Sequence, residues 1–167
     1  MSAVVEKIFV TPEGGAAMRE ADSVEAVPGG LVGDRYNQGV GYWSGADACE
    51  VTLIAGEDID RIFRETGLDL TGGLHRRNIV LRGQRMGELT GRLFRLGGAT
   101  LVFDQLRPPC GYIQQLIGEK GITRALAGKG GIGARVIEAG PIRIGDSLKI
   151  LGRSEFERLR EAGLFGV

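Results

Sequence analysis

Short apolar runs alternate with polar, glycine-marked breaks along most of this sequence, and the period of each run predicts its element. Ala3 to Val10 reads as a strand ending at Thr11-Pro12-Glu13-Gly14-Gly15, and Ser23 to Val27 as a second, closed by Pro28-Gly29-Gly30. Val51-Thr52-Leu53-Ile54 is a third. Gly56 to Thr66 is the clearest helix: Ile59, Ile62 and Phe63 recur at helical spacing, acidic residues fill the first turn, and Gly67 supplies the stop. Asn78 to Leu81 is an apolar strand, and strands near Arg92 to Leu96 and Thr100 to Leu106 form a hairpin about Gly97-Gly98. Short helical stretches follow at Tyr112 to Ile117 and Thr123 to Ala127. Ala134 to Ala139 and Ile142 to Leu151 predict a terminal hairpin around Gly140-Pro141, and Ser154 to Ala162 a last helix with Phe156 and Leu159 on one side.

Two breaks are more than turns. Gly30 to Ala48 is a long polar loop carrying Gly33-Asp34-Arg35-Tyr36, and loops of this length are often functional. Pro108-Pro109-Cys110-Gly111 interrupts the strand ladder.

Composition narrows the class. The chain has 167 residues, 43% hydrophobic and 25% charged, enough to bury a core, and no internal repeat or linker, so one domain over residues 1–167 is expected. Its 29 glycines follow no G-X-Y period and favour a β-rich fold with many turns. Lys plus Arg (21) balances Asp plus Glu (21), which removes the main support for a nucleic-acid surface. The two cysteines make no disulfide framework. With no secretory pattern at the N-terminus and no apolar stretch of the ~20 residues a membrane span needs, a cytoplasmic protein off the membrane is expected.

Some motifs are decoys. Gly128-Lys129-Gly130-Gly131-Ile132-Gly133 matches G-x-G-x-x-G, but a dinucleotide fingerprint needs a strand before it and a helix after it, and here a strand follows. Gly145-Asp146-Ser147-Leu148 looks like a hydrolase word in a turn, with no histidine placed beside it. His75, the only histidine, cannot make a usual zinc site; it reads as an exposed loop residue, or else as a polar or acid–base group beside a ligand.

Arg76, Arg77 and Asn78 form the first candidate site. On a strand Arg76 and Asn78 share a face while Arg77 points away, and a guanidinium with an amide supplies donors for a phosphate or a pterin edge. A solvated strand end is the equal alternative. Cys49 reads as a small buried hydrophobe. Cys110 differs: two prolines fix its approach, Gly111 leaves the backbone open, and Arg107 favours the reactive thiolate.

In order, Gly33-Asp34-Arg35-Tyr36, Val51-Thr52-Leu53-Ile54, Arg77-Asn78-Ile79-Val80, the Leu96-Gly97 hairpin, Pro109-Cys110 and Ile144-Gly145-Asp146 resemble the MOSC domain, the C-terminal domain of molybdenum-cofactor sulfurases that also occurs alone. Some relatives have histidine where Tyr36 stands. The resemblance implies a mainly β fold with a few short helices, a distorted, mostly antiparallel β-barrel. It implies Cys110 as the reactive thiol, either accepting persulfide sulfur from a pyridoxal-phosphate-dependent cysteine desulfurase or ligating molybdenum of a molybdopterin cofactor. Arg76, Arg77 and Asn78 would form an anion-holding face, and Asp34 and Arg35 would organise the long loop over the same pocket. In the second chemistry the protein is a molybdenum-dependent reductase of N-hydroxylated bases or amidoximes, fed by an external electron donor. Pyridoxal phosphate would belong only to the partner; other partners would be molybdenum-cofactor enzymes. A non-catalytic β-domain that docks a partner is the third class.

Overall fold

A computed structural model describes residues 2–37, 49–107, 113, 117–118 and 121–164. Cys110, with Pro108, Pro109 and Gly111, lies outside them, as does most of the expected helix from Tyr112 to Ile117.

The strands, in chain order, are β1 (Val4–Val10), β2 (Arg19–Ala21), β3 (Ser23–Val27), β4 (Gly30–Leu31), β5 (Val51–Ala55), β6 (Ile79–Arg82), β7 (Leu93–Leu96), β8 (Ala99–Leu106), β9 (Ile132–Glu138), β10 (Gly140–Arg143) and β11 (Leu148–Ile150). The helices are α1 (Gly56–Thr66), α2 (Ile122–Ala125) and α3 (Arg153–Glu161), with a 3-10 turn at Met86–Leu89. Eight strands form one sheet in the order β11-β7-β8-β9-β5-β6-β1-β2; β10-β3-β4 form a second. Pairing is antiparallel except between β5 and β6, whose crossover contains α1, as parallel neighbours require. The large sheet does not close into a continuous ring. Its curl brings β1 to the turn before β11, where Val4 bridges Ser147, Val5 N–H donates to Asp146 O (2.8 Å) and Gly145 N–H to Val5 O (2.8 Å). The expected distorted barrel is thus a strongly curled, mainly β sheet.

Both faces of β5 and β6 are covered, and alternation sorts their side chains. Leu53, Ile79 and Leu81 join the main core inside the curl with Ile8, Phe94 and Leu101. Ile54 and Val80 face outward and pack with Phe9 against Ile59 and Ile62 of α1. Thr52 and Asn78, two residues before Ile54 and Val80, fall on this outer face. α1 spans the expected residues, and Gly67 ends it in the left-handed region (φ 78°), its N–H donating to Phe63 O at 2.8 Å.

Two expectations need correction. The terminal hairpin does not form: β10 pairs with β3 (Ile142↔Val24) and β11 with β7 (Lys149↔Arg95). The turn between them spends its backbone groups on β1, and Arg143 N–H bonds Asp146 Oδ2 (2.8 Å). The second is β2, which the pattern does not predict; its short polar Arg-Glu-Ala run is held by pairing with β1 (Ile8↔Ala21).

Candidate functional site

Every buried charged side chain among the described residues belongs to one cluster beside the start of β6. Arg35, Arg76, Arg77 and Arg107 are between 5% and 9% exposed, and Asp34 is fully buried. Burying charge is costly, so its partners show what holds it there.

Asp34 organises the entry. Its Oδ1 accepts from Thr11 N–H (3.1 Å) and Arg35 Nη1 (3.2 Å), and its Oδ2 from Tyr36 N–H (3.3 Å). Arg35 continues to Arg76 O through Nη2 (3.1 Å) and stacks its guanidinium 4.4 Å from the centroid of the Tyr36 ring. Asp34 and Arg35 thus tie the start of the loop to Thr11 and to the Arg76 carbonyl.

Asn78 joins three strands. Its Oδ1 accepts from Thr52 N–H (3.0 Å) and Thr52 Oγ1 (3.1 Å), and its Nδ2 donates to Phe9 O (3.1 Å). Thr52 is the one polar side chain in an otherwise apolar, fully buried strand, a sequence signal that a buried polar partner exists.

The alternation expected for residues 76–78 does not hold. β6 begins only at Ile79, and Arg76 is the one non-glycine described residue with positive φ (66°), so the chain kinks where strand parity was assumed. Arg76 Nη1 donates to Ala16 O. Arg77 turns toward the start of β9, donating through Nε to Gly130 O (2.6 Å) and through Nη2 to Arg107 O (3.2 Å). Glycine is required beside these contacts, because a Cβ at Gly130 would overlap the Arg107 carbonyl and one at Gly131 the Leu53 carbonyl. The Gly128–Gly133 run is thus a close-packed turn into β9, as its order of elements implies.

Burial first, and then the Arg107 guanidinium, push Arg77 down to about 10, against the opposing pull of Tyr36 and Cys49. Arg107 Nη2 donates to Tyr36 Oη at 3.5 Å. Cys49 is buried as expected but borders this cluster: its Sγ and Arg107 Cδ each lie 3.3 Å from the point where Gly133 would carry a Cβ.

His75 is fully buried, not an exposed loop residue. Its ring meets Phe9 edge-to-face at 5.3 Å, and Nδ1 accepts from Arg77 N–H (2.9 Å). That bond leaves the proton on Nε2, a buried donor without a partner among the described residues. Burial, reinforced by Arg77, lowers His75 to about 3, so the imidazole is neutral.

Sequence reasoning named Asp34, Arg35, Arg76, Arg77 and Asn78, and all five meet here. The roles of Thr52, Tyr36 and the Arg107 carbonyl were missed. Among the described residues no group of three or more His, Cys, Asp or Glu could hold a metal ion. No described helix is long and apolar enough to cross a membrane.

A curled β-domain burying a cation-rich polar cluster at the entry to one strand is the class these features define. The chain belongs to the MOSC domain family, whose model matches residues 41–149. Its fold is similar to that of the YuaD protein from Bacillus subtilis (TM-score 0.76, 17% identity, covering 90% of this chain and 96% of that one). It is also similar to YiiM from Geobacillus stearothermophilus (TM-score 0.71, 18% identity, 90% and 76%) and YiiM from Escherichia coli (TM-score 0.64, 20% identity, 90% and 70%). No curated protein sequence matches the chain.

Proposed function

We propose that this MOSC domain works in sulfur or molybdenum-cofactor metabolism through Cys110, which carries persulfide sulfur or ligates the molybdenum of a pterin cofactor. The supporting observation is the place of Arg77: its buried guanidinium, held by the Gly130 and Arg107 carbonyls, lies where the chain leaves β8. A buried guanidinium held by neutral carbonyls keeps its positive field. Arg77 and Arg107 set this field at the point where the chain leaves β8, and Cys110 follows three positions after Arg107. A positive field holds a thiol as thiolate, the form that attacks sulfur and binds soft metals.

The donor set fits a phosphorylated pterin. Arg107 and Tyr36 would face its anionic part, while Arg76, Arg77, Asn78, Asp34 and Arg35 keep the pocket in shape. When bound, that group would supply redox chemistry at molybdenum, with electrons from an external donor. A cysteine desulfurase is the partner for sulfur loading.

The test is analysis of protein purified from a molybdenum-replete host, with and without incubation with a cysteine desulfurase and cysteine. Stoichiometric molybdenum and pterin, or cyanide-labile sulfur after loading, should be present in the wild type and absent from Cys110→Ala. If neither molybdenum nor labile sulfur depends on Cys110, the reading is wrong.

A further inference from the structure

A cleft of about 920 Å³ opens at the carboxyl ends of the parallel strands β5 and β6, the ends opposite to Thr52 and Asn78. Its charged walls are the first turns of α1, residues 83–88 and the turn at residues 128–131. Small-molecule sites have about this volume, roughly 300–1,000 Å³.

Three carboxylates line the cleft, and two are occupied. Glu57 accepts from Gly83 N–H (2.7 Å) and Glu88 from Gln84 Nε2 (3.2 Å). Asp58, half-buried on α1, accepts no hydrogen bond from a described residue and caps no N–H of its helix. Burial pushes its carboxyl up, with Glu57 adding to this, against the pull of Arg61, Lys129 and Arg85.

These cations surround Asp58 without closing on it. Lys129 Nζ lies 3.9 Å from Glu65 Oε2, and the exposed Arg61 and Arg85 side chains form no ion pair among the described residues. Opposite charges are thus held apart across open space. With Lys129 matched to Glu65, two guanidiniums and one carboxylate stay unmatched.

We propose that this cleft binds a small amino dicarboxylate, its ammonium group on Asp58 and its two carboxylates on Arg61 and Arg85. The ligand's one positive and two negative charges match the unmatched groups one for one. The ammonium brings Asp58 the donors it lacks, and guanidiniums pair with carboxylates through parallel N–H bonds. Nothing in this site depends on Cys110.

The test titrates the full chain with L-glutamate at constant pH and ionic strength, by calorimetry and by backbone amide NMR. Binding should saturate, with the shifted amides in residues 56–61, 83–88 and 128–131. N-acetyl-L-glutamate lacks the ammonium and L-glutamine lacks one carboxylate, so each should bind about 10-fold or more weakly. Asp58→Asn should weaken glutamate binding by a similar factor with thermal stability little changed, since no described donor depends on that carboxylate. Arg85→Gln, on a second wall, should also weaken glutamate and narrow its advantage over glutamine. No saturable binding, shifts confined to other segments, equal affinity for the three compounds, or wild-type affinity in either variant would overturn the proposal. Any of these leaves the reading of Cys110 standing, because that reading fails separately, through labile sulfur and molybdenum.

Discussion

Arg77 and Arg82 lie at opposite ends of one short strand and are held in opposite ways. Arg82, at the end of β6, grips Glu6 with two nitrogens (2.7 and 3.0 Å) and Asp60 with a third (2.6 Å). These carboxylates, Glu6 foremost, raise its basicity above the usual guanidinium range. Arg77, just before β6, donates to two backbone carbonyls and is pushed down to about 10 by burial first and then by the Arg107 guanidinium. One end of the strand neutralises its cation within the protein. The other gathers four buried guanidiniums around one buried carboxylate among the described residues, Asp34, with backbone carbonyls taking the donors of Arg77.

The largest effect should come from breaking the buried end. Arg77→Met leaves the Gly130 and Arg107 carbonyls without their donor at a position closed to water. Each such carbonyl costs about 1–3 kcal/mol, partly offset by no longer burying a guanidinium, so a net loss of roughly 2–4 kcal/mol is expected. Chemical denaturation measures it. A variant as stable as the wild type would mean that these carbonyl bonds contribute nothing net.

His75 sharpens the comparison through pH. Its native value of about 3 lies below the ordinary ~6.5 of the unfolded chain. Between these values the unfolded state binds a proton that the native state refuses, so stability falls as pH drops from ~6.5 toward 3. The slope is at most about 1.4 kcal/mol per pH unit. His75→Phe keeps an aromatic edge against Phe9 and removes the titration. Its loss of the Nδ1 acceptor costs the same at every pH. Unfolding free energies measured from pH 7 to 4 should therefore fall less steeply in His75→Phe; identical slopes would show that His75 protonates without penalty.

Local pattern carried much of the fold. α1 and the strand pair β5 and β6 were legible because their periodicity and caps lie within a few residues. The separation of β10 from β11 was not, since it depends on β3, β7 and the turn's bonds to β1, all distant in sequence. The site divides similarly. The residue types at 76 to 78 suggested an anion face and those at 34 and 35 an organiser of the loop, but the parity argument failed at one backbone kink, at Arg76. The burial of His75 depends on contact with Phe9 in β1, which no spacing around His75 reveals.

The smallest effect belongs to Arg82, despite its three carboxylate neighbours. Its side chain is 35% exposed and those of Glu6 and Asp60 are 36% and 53% exposed, so water and salt screen every pair. Arg82→Ala should cost no more than about 1 kcal/mol, and the loss should shrink as ionic strength rises. Glu57 limits the damage further, because its Oε1 already accepts from Gly83 N–H (2.7 Å) and so keeps a partner without Arg82. A penalty matching that of Arg77→Met and indifferent to salt would break the contrast, placing the strand's mechanical anchor at its acidic end. A small, salt-sensitive penalty confirms that carboxylate count does not measure stabilisation, and that Arg77, with no carboxylate partner among the described residues, does more to hold β6 in place.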